Sequence, residues 1–170
     1  MPSNIEIKAR VRDFESLRKK IEALSDVAVK ILEQEDTFFN TKSGRLKLRE
    51  TPGLYAELIY YERPDSIDPA ESQYCLIKID EPEALKNALQ AAIGIRGVVR
   101  KTRRLYRTGQ ARLHLDEVEK LGYYLEVEVV LQTDQSPEEG KQIAQDLMQQ
   151  IGIKPSDLVQ SAYIDLLEIK

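Results

Sequence analysis

"NIEIKARV", residues 4–11, alternates strictly: Asn4, Glu6, Lys8 and Arg10 are polar, and Ile5, Ile7, Ala9 and Val11 between them are apolar. Successive side chains of a strand point to opposite faces, so the stretch reads as a strand with one charged face and one apolar face. Whether the charged face meets bulk water or a bound molecule decides the fold.

Working outward, the same alternation recurs at 29–41, 44–50, 55–63, 72–80, 95–107, 111–118 and 123–131, with turn signals at Ser43-Gly44, Pro52-Gly53, Gly109 and Gly122. Together with 4–12 these are eight strand candidates, enough for a large antiparallel sheet or a closed barrel. Helical spacing interrupts them. Asp13 caps a helix carrying Leu17, Ile21 and Leu24, and a second helix opens at Glu81-Pro82, carries Leu85, Leu89, Ala92 and Ile93, and stops at Gly94. A third runs from Ser136 to Gly152, and a fourth is predicted from Ser156 with Val159, Ala162, Tyr163 and Leu166 on one side. Superposing the first two helices sets Glu6, Lys8 and Arg10 on Tyr74, Leu76 and Lys78, so the chain divides into two strand–helix–strand–strand–strand halves.

A chain of 170 residues, 42% hydrophobic and 32% charged, fits one domain spanning 1–170 with a core of its own. The net charge of −4 exerts no overall pull on nucleic acid, so any anion binding must come from local clusters of bases. The densest cluster, "VVRKTRRLYR" at 98–107, lacks, beyond Tyr106, the interleaved aromatics of a single-strand binder. The single cysteine, Cys75, excludes an internal disulfide and reads as a buried residue beside Ile77 and Ile79. Residues 1–20 lack a signal-peptide core, and no apolar run approaches the roughly 20 residues of a membrane helix. The expectation is a cytoplasmic monomer or homodimer that touches neither membrane nor nucleic acid.

The charged faces can be read strand by strand. Arg45, Lys47 and Arg49 share one face, as do Lys101 and Arg103, then Arg112, His114 and Asp116, then Glu126 and Glu128. An antiparallel sheet with one wet side shows the same pattern. The helices, however, need an apolar wall. If they cover the sheet from outside, the charged faces line a lumen with eight bases (Lys8, Arg10, Arg45, Lys47, Arg49, Lys101, Arg103, Arg112) against four acids (Glu6, Asp116, Glu126, Glu128). Confining uncompensated ions away from water costs several kcal/mol apiece. A polyanion with a hard divalent cation balances such a site, bases taking phosphate oxygens and carboxylates the metal. There is no GxxxxGK[ST] phosphate loop. His114 reads as a structural histidine, and Phe38, Phe39, Tyr55, Tyr60 and Tyr61 as core or strand-pair residues rather than a wall for a base.

These residues resemble the CYTH family, the triphosphate tunnel metalloenzymes, which includes class IV adenylyl cyclases, thiamine triphosphatases and inorganic triphosphatases. "NIEIKARV" is similar to the family's opening Glu-x-Glu-x-Lys strand, "GRLKLRE" to its basic strand, "VVRKTRRLYR" to its Lys-x-Arg strand, and "LHLDEVEKLGYYLEVEV" to its closing Asp and Glu-x-Glu strands. The resemblance covers residues 4–131 and implies an α+β fold: an eight-stranded antiparallel closed β-barrel, a tunnel with a charged lumen and helices packed outside. It implies Mg²⁺ or Mn²⁺ held by Glu6, Asp116, Glu126 and Glu128, and a triphosphate-containing small molecule held by Lys8, Lys47, Arg49, Lys101 and Arg103. Lys78 joins these by the internal repeat. Lys8, Asp116 and Glu126 become the candidate catalytic residues. The implied reaction is hydrolysis of a triphosphate. The alternatives are conversion of ATP to cyclic AMP and pyrophosphate, or binding of triphosphate or polyphosphate without turnover. Two positions depart from the family pattern: Asn4 stands where its first glutamate would, and "LIYYERP" at 58–64 has no lysine on the fourth strand.

Overall fold

The computed structural model describes residues 2–169. Its strands are β1 (Ser3–Arg10), β2 (Lys30–Phe39), β3 (Arg45–Thr51), β4 (Tyr55–Glu62), β5 (Ala70–Lys78), β6 (Ile95–Thr108), β7 (Ala111–Val118) and β8 (Gly122–Val130). They form a closed barrel in the order β1-β5-β4-β3-β2-β6-β7-β8, with every neighbouring pair antiparallel. Helix α1 (Phe14–Leu24) follows β1 and α2 (Pro82–Ile93) follows β5, so two β-α-β-β-β halves succeed one another as the sequence predicts. Helices α3 (Pro137–Gln150) and α4 (Tyr163–Ile169) come after the last strand.

The apolar faces of the strands look outward. Ile5, Ile7 and Ala9 of β1, Leu113 and Leu115 of β7, and Leu125 and Val127 of β8 form one buried cluster with Leu17 and Ile21 of α1 and Ala144 and Met148 of α3. Helix α3 lies so close to β1 that a Cβ at Gly140 would meet Ile5 Cγ1 at 2.7 Å and Leu131 Cδ2 at 2.5 Å. With the apolar wall thus occupied, the charged face of β1 has only the lumen to face. That settles the question raised by "NIEIKARV".

A second cluster closes one end of the barrel, where Ala162, Tyr163 and Ile164 pack on Phe38, Val99, Val118 and Tyr124. At the other end the lumen passes Leu32, Tyr55, Glu57 and Leu105 into a broad surface groove. The tunnel therefore has one closed end and one open mouth.

Three sequence expectations are corrected. The fourth helix does not start at Ser156: Pro155–Asp157 is a single 3-10 turn, and the helix begins at Tyr163. Between them the chain runs extended along β1, with Leu158 bridging Ala9 and the Val159 N–H donating to the Lys8 carbonyl at 2.9 Å, which satisfies the backbone without a helix. The apolar stripe of α2 buries none of its residues. Cys75 is exposed on the outer face of β5, where its neighbour Ile77 is bare as well. Among the described residues no helix is long and apolar enough to cross a membrane.

Candidate functional site

The lumen encloses a cavity of about 320 Å³ lined by side chains from all eight strands, charged ones coming from β1, β3, β4, β6, β7 and β8. Its architecture follows from cross-strand register. Asp36 on β2 faces Arg49 on β3, Arg103 on β6 faces Asp116 on β7, and Lys8 on β1 faces Glu126 on β8. Each of these pairs puts opposite charges directly across a ladder, the arrangement that stabilises a sheet face.

The bases divide between two buried carboxylates. Asp36 accepts from Lys47 Nζ at 2.9 Å and from Arg49 Nε and Nη2 at 2.7 Å each, with Lys101 Nζ at 3.7 Å. Asp116 accepts from Arg103 Nε at 2.7 Å, Arg103 Nη2 at 2.6 Å and the Tyr163 hydroxyl at 2.9 Å, with Lys101 Nζ at 4.0 Å. Burial alone would push both carboxyls up, but Arg49, Lys47 and Lys101 hold Asp36 well below the usual range, and Arg103 and Lys101 hold Asp116 below it. Lys101, shared between the two, is lowered to about 7 by burial and by the adjacent Arg103.

Toward β1 and β8 the lumen turns acidic. Glu126 receives Lys8 Nζ at 3.5 Å and Arg103 Nη2 at 3.2 Å; burial opposes its ionisation, but these two cations hold it well below its ordinary value. Glu128 accepts from the Asn4 amide and from Arg112. His114 lies between the two glutamates, Nδ1 3.7 Å from Glu126 and Nε2 3.8 Å from Glu128, with its pKa lowered by burial and by Arg103. Glu6 lacks a close partner, and burial together with Glu128 and Glu126 raises it to about 7.

Among the described residues no three His, Cys, Asp or Glu side chains converge closely enough to hold a metal ion as they stand. The chemistry of the donor set nevertheless fits a divalent cation: Glu6 is short of positive charge, and the buried Asn4 Oδ1 beside it has no hydrogen-bond partner. Asn4 thus offers an oxygen, but no charge, where the resemblance implies a glutamate.

The model of the CYTH domain family matches residues 3–163. The chain belongs to the CYTH family. A solved structure from Pyrococcus horikoshii, the PH1012 protein, is 31% identical, with a TM-score of 0.86 over 96% of this chain and 98% of that one. A candidate adenylate cyclase of Methanocaldococcus jannaschii is 22% identical over 95% of this chain and 97% of its own. A candidate adenylyl cyclase from Hippeastrum, reported to reveal a dominant triphosphatase activity, is 18% identical; its TM-score is 0.71, over 99% of this chain and 96% of that one.

Within this CYTH tunnel, Glu6, Lys8, Lys47, Arg49, Lys101, Arg103, Asp116, Glu126 and Glu128 all face the lumen or its buried walls. Lys78 does not join them; it sits exposed in the groove outside the open mouth. Arg10 is exposed as well, its guanidinium stacked over the Tyr124 ring at 5.5 Å. Arg45 is spent at the closed end on Asp165 and Asp65, at 2.8 and 2.9 Å. Sequence reasoning missed three participants. Asp36 is the acid of the first half, Tyr163 carries the hydroxyl on Asp116, and Arg63 is a basic residue that sits just past β4 and lines the lumen. Asp36 keeps parity with Gln34 and Phe38, but acids stand at both parities of that strand, so the sequence does not single it out.

Proposed function

We propose that this CYTH tunnel hydrolyses a triphosphate-containing small molecule with the help of Mg²⁺ or Mn²⁺. One observation carries the reading: Lys47, Arg49, Lys101 and Arg103 converge in a buried lumen on two carboxylates, Asp36 and Asp116, leaving more positive charge than acid where a polyanion would lie. Charge-assisted bonds from such bases to phosphate oxygens are the strong ones, and phosphoryl transfer is catalysed mainly by positioning and charge stabilisation. Lys47, Arg49, Lys101 and Arg103 would hold the phosphates, joined by Lys8. Glu6, Glu126 and Glu128 would hold the metal with the Asn4 amide oxygen beside them, and Asp116 orients Arg103 at the reacting group. A bound divalent ion would neutralise charge on the phosphoryl oxygens and acidify a water. The triphosphatase activity named for the Hippeastrum relative supports hydrolysis. The cyclase reading is favoured by the name of the Methanocaldococcus relative and runs second.

One assay separates the readings: the purified chain is incubated with inorganic triphosphate and with ATP, each with Mg²⁺ or Mn²⁺, and the products are resolved. Orthophosphate is the expected product. Cyclic AMP with pyrophosphate would establish the cyclase, tight binding without turnover a binder, and neither binding nor turnover would remove the reading altogether. Glu126→Gln and Glu128→Gln are each expected to lower metal-dependent turnover at least 100-fold, in line with the value of electrostatic stabilisation in such sites. Unchanged turnover would take those residues out of the metal site.

A further inference from the structure

Arg63 follows β4 directly, in "ERPD" at 62–65, and its guanidinium turns back into the barrel. The side chain is 8% exposed, yet Nε and Nη2 are both buried without a hydrogen-bond partner. The nearest carboxylate oxygen, Glu6 Oε2, stands 3.9 Å from Nε, too far for a hydrogen bond. Its neighbours are differently placed. Arg49 donates to Asp36, Arg103 to Asp116, Arg112 to Glu128 and Arg45 to Asp165. A guanidinium keeps its charge at any ordinary pH and has donors only, so leaving two of its nitrogens buried and unbonded carries a desolvation cost that attraction to Glu6 at 3.9 Å repays only in part. In a lumen that otherwise pairs its bases, this is a cation waiting for acceptors.

Its position says which part of a ligand would supply them. Tyr61, two residues earlier on β4, pairs with Arg45, and Arg45 grips Asp165 of α4 at the closed end. Arg63 therefore lies at the end of the tunnel away from the mouth, beside Glu6 and Lys8. The β4 residues facing the lumen, Tyr55, Glu57, Ile59 and Tyr61, offer no base. We propose that Arg63 takes the phosphoryl group deepest in the tunnel, supplying the basic contact that β4 itself lacks, and so fixes the closed end as the place of the terminal phosphate. The inference rests on the triphosphate reading of the lumen.

The test is calorimetric binding of inorganic triphosphate to the full chain, with Mg²⁺ and separately in EDTA, for the wild type, Arg63→Met and Arg63→Lys. Arg63→Met is expected to weaken binding at least tenfold in both conditions, and Arg63→Lys to fall between. A wild type that binds no triphosphate sinks the functional reading and this inference with it. A wild type that binds, with Arg63→Met within twofold of it, overturns the role of Arg63 alone. A loss seen with Mg²⁺ and absent in EDTA also overturns it, since Arg63 would then act through Glu6 and the cation rather than on phosphate. Should Arg63→Met fail to fold, Arg63→Lys decides: it keeps the charge without the fork, so a threefold or greater loss in EDTA supports the contact and parity refutes it.

Discussion

Glu6 shows how one buried residue can weaken the empty fold. Burial, Glu128 and Glu126 raise its carboxyl to about 7, while Arg63 and Lys8 pull only partly the other way. The folded-state value lies above the unfolded one, so the stability that the protonated form provides is whole below about 4.5 and is lost as pH rises through about 7. Glu6→Gln has no such dependence. In EDTA its advantage over the wild type should grow between those two pH values to at most about 3 kcal/mol and stay level above, read as thermal midpoints across pH. Saturating Mg²⁺ should reverse the order by favouring the wild type; an offset that does not change with pH would show that Glu6 is adequately paired as it stands. Glu6 was legible in the sequence because strand parity set it on the charged face of β1, which the helices' need for an apolar wall and the resemblance together turned inward. Asp36 was not, since β2 is acidic on both faces: Glu33 and Glu35 face outward to Thr102 and Arg100, and nothing in "EQED" separates them from the acid that anchors three bases. Arg63 escaped notice for another reason, in that Arg-Pro after a strand reads as the start of a turn, and only the fold shows that its side chain bends back.

At the scale of elements, α4 does more for the site than its length suggests. Tyr163 opens it, donates to Asp116 at 2.9 Å, and lays its ring beneath Lys8 Nζ at 4.1 Å and Lys101 Nζ at 5.3 Å, while the Ser161 carbonyl accepts from Lys8 at 3.1 Å. Tyr163→Phe keeps the ring and removes one bond to a charged acceptor, so a loss of about 1.5–3 kcal/mol is expected by urea unfolding. Tyr163→Ala also empties a buried ring site and should cost roughly 3–5 kcal/mol. Equal losses would mean the hydroxyl is idle. The strands, α1, α2 and α3 were recognisable to within a residue or two, because alternation and caps are local signals. The start of α4 was not. Residues 158–162 have helical spacing, but the free backbone edge of β1 at Lys8 and Ala9 offers them partners that a local pattern cannot contain.

For the whole molecule, the closed end, the open mouth and bases in excess of the acids they pair with make a tunnel with positive charge to spare. Closure was legible only through the family resemblance, since alternation and helices needing an apolar wall left an open sheet or a closed barrel; which ions pair across the lumen depends on register, which alternation leaves open as well. Lys101 reports on the entry of an anion. Lying between Asp36 and Asp116, it is lowered to about 7, so in the empty tunnel it loses its proton as pH rises above neutrality. A phosphate favours the charged ammonium, so binding above that pH must take up a proton, and the affinity lost to this group is about tenfold per pH unit until the bound-state pKa is reached. Below about 7 the ammonium is already charged and the dependence should vanish. Triphosphate itself gains charge with pH, so the informative quantity is the slope of the wild type relative to Lys101→Arg, whose guanidinium stays protonated throughout. Measured in EDTA from pH 6 to pH 9, the ratio of the two affinities is expected to be flat up to neutrality and to turn against the wild type above it. Parallel profiles across the range would place the proton elsewhere in the tunnel and leave Lys101 charged whether the lumen is empty or full.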